Sequence, residues 1–261
     1  MAQTAEQTFP TFDLTGKRAL VTGATKGIGH HAALSLAHAG ADLFLTGRDV
    51  DQLDEVRAEV RELGRDAEAA PAELADIDAV RRLAEQALES LGGVDVLVNN
   101  AGLAHIESFL DTTVEAWDET LDVNLRAPYF LAQTVARHMV DNGTEGSIIN
   151  ISSAAALGAL DGHGAYCSSK AGLLLATKVM ALELGPAGIR VNAICPTVIL
   201  TPMAEQVWGD PAKGDPMKAR IPLGKFGYPP DVSGAVVFLA SDASRMVTGA
   251  EMRVDGGYHA V

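Results

Sequence analysis

From Lys17 onward the chain repeats an apolar run, a turn and an amphipathic run without a break, and this rhythm constrains the fold more than any other feature. Such alternation implies a parallel sheet covered on both faces by helices. The pattern predicts strands at Arg18 to Thr22, Asp42 to Thr46, Ala67 to Ala70, Val94 to Val98, Ser147 to Ile151, Arg190 to Ile194 and Glu251 to Val254. Between them it predicts helices at Gly27 to Ala39, Val50 to Leu63, Ile77 to Leu91, Val114 to Leu125, Tyr129 to Asp141 and from Tyr166 to about Leu184. No internal repeat or low-complexity linker divides the chain, and 261 residues are ample for one large α/β domain. The first twelve residues read as a short loose tail, and 13–261 as the domain.

Charge and cysteine usage narrow the partners. A net charge of −14 repels phosphate backbones and anionic membranes, so nucleic acid and lipid surfaces are excluded as partners. No apolar stretch is long enough to span a bilayer, and Cys167 and Cys195 have neither metal-ligand spacing nor a disulfide framework. No metal site is expected, and the chain reads as cytoplasmic.

Thr22-Gly23-Ala24-Thr25-Lys26-Gly27-Ile28-Gly29 joins the first strand to the first helix. Gly23, Gly27 and Gly29 permit a tight turn, close backbone approach and close helix packing, while the helix N-terminus offers N–H groups to a pyrophosphate. A glycine triplet alone is weak evidence. This one follows a strand, opens a helix and begins a βαβ unit, the context a dinucleotide site requires.

Tyr166 and Lys170 stand four positions apart in a helical segment, so both share one face. A tyrosine ionises near pH ~10, and a cation held close lowers that value toward the range where the phenol can move protons. Taken alone, the pair is equally an aromatic and a snorkelling lysine on an amphipathic helix. Ser153, thirteen residues earlier at the end of the fifth strand, can converge with it on one point.

Together these motifs resemble the short-chain dehydrogenase/reductase family, in its compact branch, from about Asp13 to the end. The resemblance implies a Rossmann-like, doubly wound, mostly parallel seven-stranded sheet with helices on both faces. It implies nicotinamide-dependent hydride transfer between a carbonyl and a secondary alcohol, and a homotetramer. Asn124, Ser153, Tyr166 and Lys170 fall where the family's catalytic residues fall. By the same match Ser153 holds the substrate oxygen, Tyr166 exchanges its proton, Lys170 tunes the tyrosine and binds the nicotinamide ribose, and Asn124 positions the lysine and a relay water. The Asn99-Asn100-Ala101-Gly102 run matches the family's adenine-side motif. Pro196, the Ile199 backbone and the Thr201 hydroxyl are expected to grip the nicotinamide end. Glu73-Leu74 occupies the place of an adenine-contacting acid and its neighbour, a departure from the usual pattern. His163, Cys167 and Pro196-Thr197 resemble a xylulose and carbonyl reductase subgroup.

Cofactor choice turns on the end of the second strand, where the residues are Gly47-Arg48. No acid stands there to bind a ribose 2′-hydroxyl. Arg48 can fork around a 2′-phosphate, with Lys26 adding charge, so NADP(H) is preferred and NAD(H) remains open.

The Pro- and Gly-rich stretch from Pro196 to Pro230 is long for a connection and reads, around 197–227, as a substrate lid or, alternatively, a surface excursion. Met203, Val207, Trp208, Met217 and Ile221 supply an apolar lining, and Asp210-Pro211 and Asp215-Pro216 read as rigid turns. Trp208 offers an apolar wall, while Ser153, His163 and Thr197 offer polar contacts to substrate. A small ketose, dicarbonyl or polyol fits that mixture. Two rivals stay open: a 3-oxoacyl (acyl-carrier-protein) reductase, and a nucleotide-binding sensor without catalysis. Ala171 to Leu184 is apolar nearly all round, which fits either a subunit interface or burial within one subunit.

Overall fold

The computed structural model describes residues 9–201, 204–205 and 208–260. Its strands are β1 (Arg18–Thr22), β2 (Asp42–Gly47), β3 (Ala67–Pro71), β4 (Val96–Asn99), β5 (Ser147–Ile151), β6 (Arg190–Pro196) and β7 (Glu251–Val254). They pair in the order β3-β2-β1-β4-β5-β6-β7, every pair parallel. The sheet expected to be mostly parallel is parallel throughout. β2 and β4 lie on opposite sides of β1, so the chain leaves the β1 and β4 tips in opposite directions. The crevice this opens above the strand C-termini is where ligands bind in such sheets.

Side chains that alternate along each strand fill two cores. Val21, Val98 and Ile149 face one way, onto α1 (Gly27–His38) and α8 (Pro229–Ala240). Leu20, Leu97 and Ile148 face the other way, onto α3 (Ile77–Leu91), α5 (Ala127–Asn142) and α6 (Gly164–Leu184). The two-residue period of a strand and the double cover of helices are thus one fact seen twice. α2 (Val50–Glu62) packs its buried Leu53, Val56 and Val60 into the first core.

Three features depart from the sequence reading. Val114 to Leu125 does not run as one helix: α4 (Val114–Leu121) passes into a wide π turn over Asp122–Arg126, which leads directly into α5. The Ala127 N–H reaches back five residues to the Asp122 carbonyl, and such turns often sit at functional sites. Secondly, the lid contains a helix, α7 (Pro211–Lys218), where two rigid turns were expected. Asp210 caps it by accepting from the Ala212 N–H at 3.0 Å, and Pro211 stands in the first turn, where its missing N–H costs nothing. Thirdly, α8 begins at Pro229-Pro230, residues that read as loop punctuation. Asp231 completes its start by accepting from the Tyr228 N–H at 2.7 Å.

The described part of the lid is tied off at its base, where Leu200 donates to the Gly227 carbonyl at 2.8 Å and Gly227 to the Val198 carbonyl at 3.1 Å. Met203 and Val207 lie outside the described residues. So do residues 1–8 of the expected loose tail. Of the remainder of that tail, Phe12 stacks on Phe238 of α8 with ring centroids 6.4 Å apart.

Candidate active site

A cavity of about 380 Å³ opens above the C-terminal ends of β1, β4, β5 and β6. Ser153, Tyr166 and Lys170 line it together with His163, Thr197 and Trp208. The sequence-predicted residues Ile28, Asn100, Gly102, Pro196, Ile199 and Thr201 form its inner wall.

The reacting end is built by β5 and α6. Two bonds zip the strand tip to the helix: Lys170 Nζ donates to the Ile151 carbonyl at 2.8 Å, and Ser152 Oγ donates to the Lys170 carbonyl at 3.0 Å. The Lys170 ammonium lies 5.8 Å from the centre of the Tyr166 ring. Burial pulls Lys170 down to about 8, opposed by nearby Cys195. Burial also pushes the Tyr166 phenol above its ordinary value; a hydrogen bond from Ser153 works against this, and Cys167 adds to it. The direction is opposite to the expectation that Lys170 lowers the tyrosine. The reason is that desolvation disfavours the charged form of each group and is the largest influence on both. In this form the tyrosine is a proton donor held neutral, with Ser153 beside it in the cavity.

Asn124 lies in the π turn, fully buried, and does not line the cavity. Its amide is wholly committed: Oδ1 accepts from the Leu103 N–H at 2.9 Å, while Nδ2 donates to the Leu103 carbonyl at 2.8 Å and to Ser169 Oγ at 3.1 Å. It therefore clamps the loop after β4 to α6. Gly102 is the spacer, since a Cβ there would meet Asn124 Oδ1 at 3.2 Å and Lys170 Nζ at 3.3 Å.

The phosphate end runs along the rim toward β2. Gly23 and Gly27 have φ of +64° and +56°, conformations that glycine alone adopts without strain. Asn100 Nδ2 donates to the Thr22 and Gly23 carbonyls at 2.9 and 3.1 Å, bracing the turn from β4. Thr22 Oγ1 accepts the backbone N–H groups of Asn100 and Ala101. Thr201 closes over the turn, because a Cβ at Gly27 would lie 2.7 Å from its methyl. No side chain among the described residues caps α1 and no acid stands in its first turn, so its leading N–H groups are donors suited to an anion. A glycine turn without Cβ atoms and an uncapped helix fit a pyrophosphate.

Lys26 and Arg48 are exposed at the ends of the same stretch, and the Thr25 methyl sits 2.9 Å from a Cβ built on Gly47, so the two segments touch. Leu74 packs its side chain into the second core. Glu73 does not reach into the crevice in this structure: its carboxylate accepts from the Ala75 N–H at 3.3 Å and caps its own turn. Gly23, Thr25, Lys26, Gly27, Gly29, Arg48, Glu73, Leu74 and Ala101 do not line the cavity.

At the substrate end, His163 Nδ1 lies 2.7 Å from the Asp161 carbonyl, an acceptor only, so Nδ1 carries a proton and, in the uncharged ring, Nε2 is an acceptor. Thr197 Oγ1 is buried with no hydrogen-bond partner among the described residues. Thr197 lines the cavity through its other atoms, its hydroxyl being shut off from solvent. Trp208 stands edge-on to Phe226, ring centroids 6.1 Å apart, and Met217 of α7 lines the cavity beside it. Leu103, Gly158 and Tyr258 also line it, without having been singled out from the sequence. Tyr258 arrives only because two successive glycines, Gly256 and Gly257, turn the chain after β7 with φ of +61° and +91°. The Gly256-Gly257 pair was the one available sign.

A family model described as enoyl-(acyl carrier protein) reductase matches residues 23–259. The chain is 47% identical over 245 residues to the L-xylulose reductase of Mus musculus, covering 94% of this chain and 97% of that protein. It is 40% identical over 250 residues to the D-threitol dehydrogenase of Mycolicibacterium smegmatis, covering 95% and 94%. Among solved structures, a short-chain type dehydrogenase/reductase from Mycobacterium marinum superposes with a TM-score of 0.89 at 38% identity, over 95% and 97% of the two chains. A gluconate 5-dehydrogenase candidate from Beutenbergia cavernae, described as NAD(P)-dependent and holding NADP at low occupancy, gives 0.91 at 37% identity over 96% and 99%.

Proposed function

The chain belongs to the short-chain dehydrogenase/reductase family, and from that premise we propose that it reduces a small ketose or dicarbonyl with NADPH and oxidises the corresponding polyol in reverse. The observation that carries the substrate class is the cavity itself. About 380 Å³, lined by Thr197 and by His163 near Ser153 and Tyr166, suits a short hydroxylated carbonyl better than a steroid or long acyl chain. Relatives named L-xylulose reductase, D-erythrulose reductase and D-threitol dehydrogenase act on small molecules of this kind.

In this reading the glycine turn, braced by Asn100, and the α1 N-terminus hold the cofactor's pyrophosphate, and Arg48 with Lys26 receives a 2′-phosphate. Glu73 and Leu74 stand on the adenine side, and the Ile199 backbone and Thr201 bind the nicotinamide end. A bound reduced nicotinamide supplies hydride to the carbonyl carbon. Ser153 donates a hydrogen bond to the carbonyl oxygen, and Tyr166 gives that oxygen its proton as the C–O bond becomes an alkoxide. Lys170 stabilises the phenolate left behind. Asn124 fixes Lys170's surroundings through Leu103 and Ser169 and is a positioning residue. The lid, with Trp208 and Met217, excludes water from the reacting carbon.

No helix among the described residues is long and apolar enough to cross a membrane. The unpaired Cys167 and Cys195 suit a reducing cytoplasm. A homotetramer is the assembly we favour: Leu175, Val179 and Leu182 are exposed on α6 although its opposite face is already buried, and Tyr129 and Val140 are exposed on neighbouring α5. Burial within one subunit therefore does not account for the all-round apolar character of that helix.

The test is a panel of initial rates with NADPH and NADH against xylulose, erythrulose, butane-2,3-dione, a ketosteroid and a 3-oxoacyl thioester. NADPH with a ketose or the dione gives the highest kcat/KM. A steroid or thioester ahead by tenfold, about 1.4 kcal/mol of transition-state preference, overturns the substrate class and leaves the family untouched.

A further inference from the structure

We infer that Tyr258 is a substrate-contacting residue that selects hydroxylated carbonyls, held in the cavity by Arg220 and Asp255 as positioning residues. The inference rests on the ketose reading above and extends it to a residue near the chain's end that carries no motif.

Tyr258 lines the same cavity as Ser153, Tyr166 and His163. Its backbone is set by the Asp255 carboxylate, which accepts from the Gly257 N–H at 2.9 Å and the His259 N–H at 3.1 Å, while the Asp255 carbonyl accepts from Tyr258 itself at 3.1 Å. The same carboxylate lies 3.1 Å from His259 Nδ1. Its ring is held from two sides. The Arg220 guanidinium lies 4.9 Å from the ring centre, and the His259 ring stands edge-on with centroids 4.8 Å apart and planes at 87°.

Arg220 belongs to the far end of the lid, and the lid is seated on this turn. Leu223 donates to the Gly256 carbonyl at 3.1 Å. A Cβ at Gly256 would fall 2.6 Å from the Ile221 methyl, and one at Gly257 would fall 2.9 Å from the Pro222 ring. Only glycines allow that approach. The turn therefore fastens the lid and presents a rigid phenol to the cavity in one device. A fixed polar group at a distance from the reacting atoms discriminates substrates by the hydroxyls they carry, since an analogue without them leaves the group unpaired.

The experiment uses the NADPH-loaded enzyme with xylulose or erythrulose, whichever the wild type reduces faster, and butane-2,3-dione, which has no hydroxyl. Tyr258→Phe keeps the ring and its stacking on Arg220. It should raise KM for the ketose about fivefold, the worth of one neutral hydrogen bond, with kcat within about twofold and KM for the dione unchanged. Arg220→Met should raise the ketose KM in the same direction, and Arg220→Lys should recover part of it. Cofactor Kd and thermal midpoint, measured alongside, stay at wild-type values for Tyr258→Phe. An unchanged ketose KM, or equal rises for ketose and dione, overturns the inference and leaves the ketose reading standing. A wild type that reduces neither ketose overturns both.

Discussion

At the scale of single residues, the chemistry rests on groups taken out of water. Lys170 shows the cost most clearly. Its ammonium titrates at about 8 in the folded chain against 10.5 for a free lysine, a gap equivalent to about 3 kcal/mol. The sign follows from proton counting. Between those two values the native state has lost a proton that the unfolded state keeps, so stability rises with pH across that window. Below about 8 both states are charged and the burial cost is present in full. Lys170→Met removes the titration. The denaturation free energy of wild type minus that of Lys170→Met should shift in favour of wild type by about 2 kcal/mol between about pH 7 and pH 9.5. A difference that stays flat across that range means Lys170 is not desolvated as described. None of this was visible in the spacing of Tyr166 and Lys170, which places two side chains on one face and says nothing of how deeply that face is buried. The identities of Ser153, Tyr166 and Lys170 as neighbours were legible; the direction in which burial moves the phenol was not.

At the scale of elements, glycine separates structural requirement from tolerance. Gly29 is in the first turn of α1, where a Cβ would overlap the Gly23 carbonyl oxygen and Asn100 Nδ2. Neither can move, as each is bonded into the turn between β1 and β4. Gly29→Ala should lose about 2 kcal/mol of stability and at least tenfold in NADPH affinity, by denaturation and fluorescence titration. Gly234, exposed in α8 with nothing within 4 Å of an added Cβ, gives the opposite result. Gly234→Ala should gain about 0.5–1 kcal/mol through helix propensity alone. Elements themselves were legible wherever an apolar period was unbroken, and so the seven strands and α1 to α3 fall within a residue or two of expectation. α7 and α8 escaped because Asp210-Pro211 was read as a rigid turn and Pro230 as the end of a Pro- and Gly-rich connection, whereas proline in a first helical turn is a start signal. The π turn escaped because it inserts into a continuous helical pattern with no marker residue. It is nonetheless what seats Asn124 between Leu103 and Ser169.

At the scale of the whole molecule, α6 presents two faces, to which we assign two proposed roles. One face carries Tyr166 and Lys170, and the outward face carries exposed Leu175, Val179 and Leu182. An assembly that covers the outward face also braces the catalytic helix. Light scattering at micromolar concentration should give the mass of a tetramer, and Leu182→Glu should reduce that mass; a wild-type monomer removes the assembly proposal. The substrate preference, by contrast, depends on the lid and the turn after β7 meeting across the cavity, an encounter between segments distant in sequence that no local pattern announces.

The central claim is that Tyr166 delivers the proton while the rest of the crevice binds NADPH. It is tested most directly by kcat for NADPH-dependent ketose reduction in Tyr166→Phe, read beside the cofactor Kd of the same preparation. The account predicts a fall in kcat of about 10³-fold or more with Kd within twofold of wild type. Turnover within tenfold of wild type at unchanged Kd contradicts it.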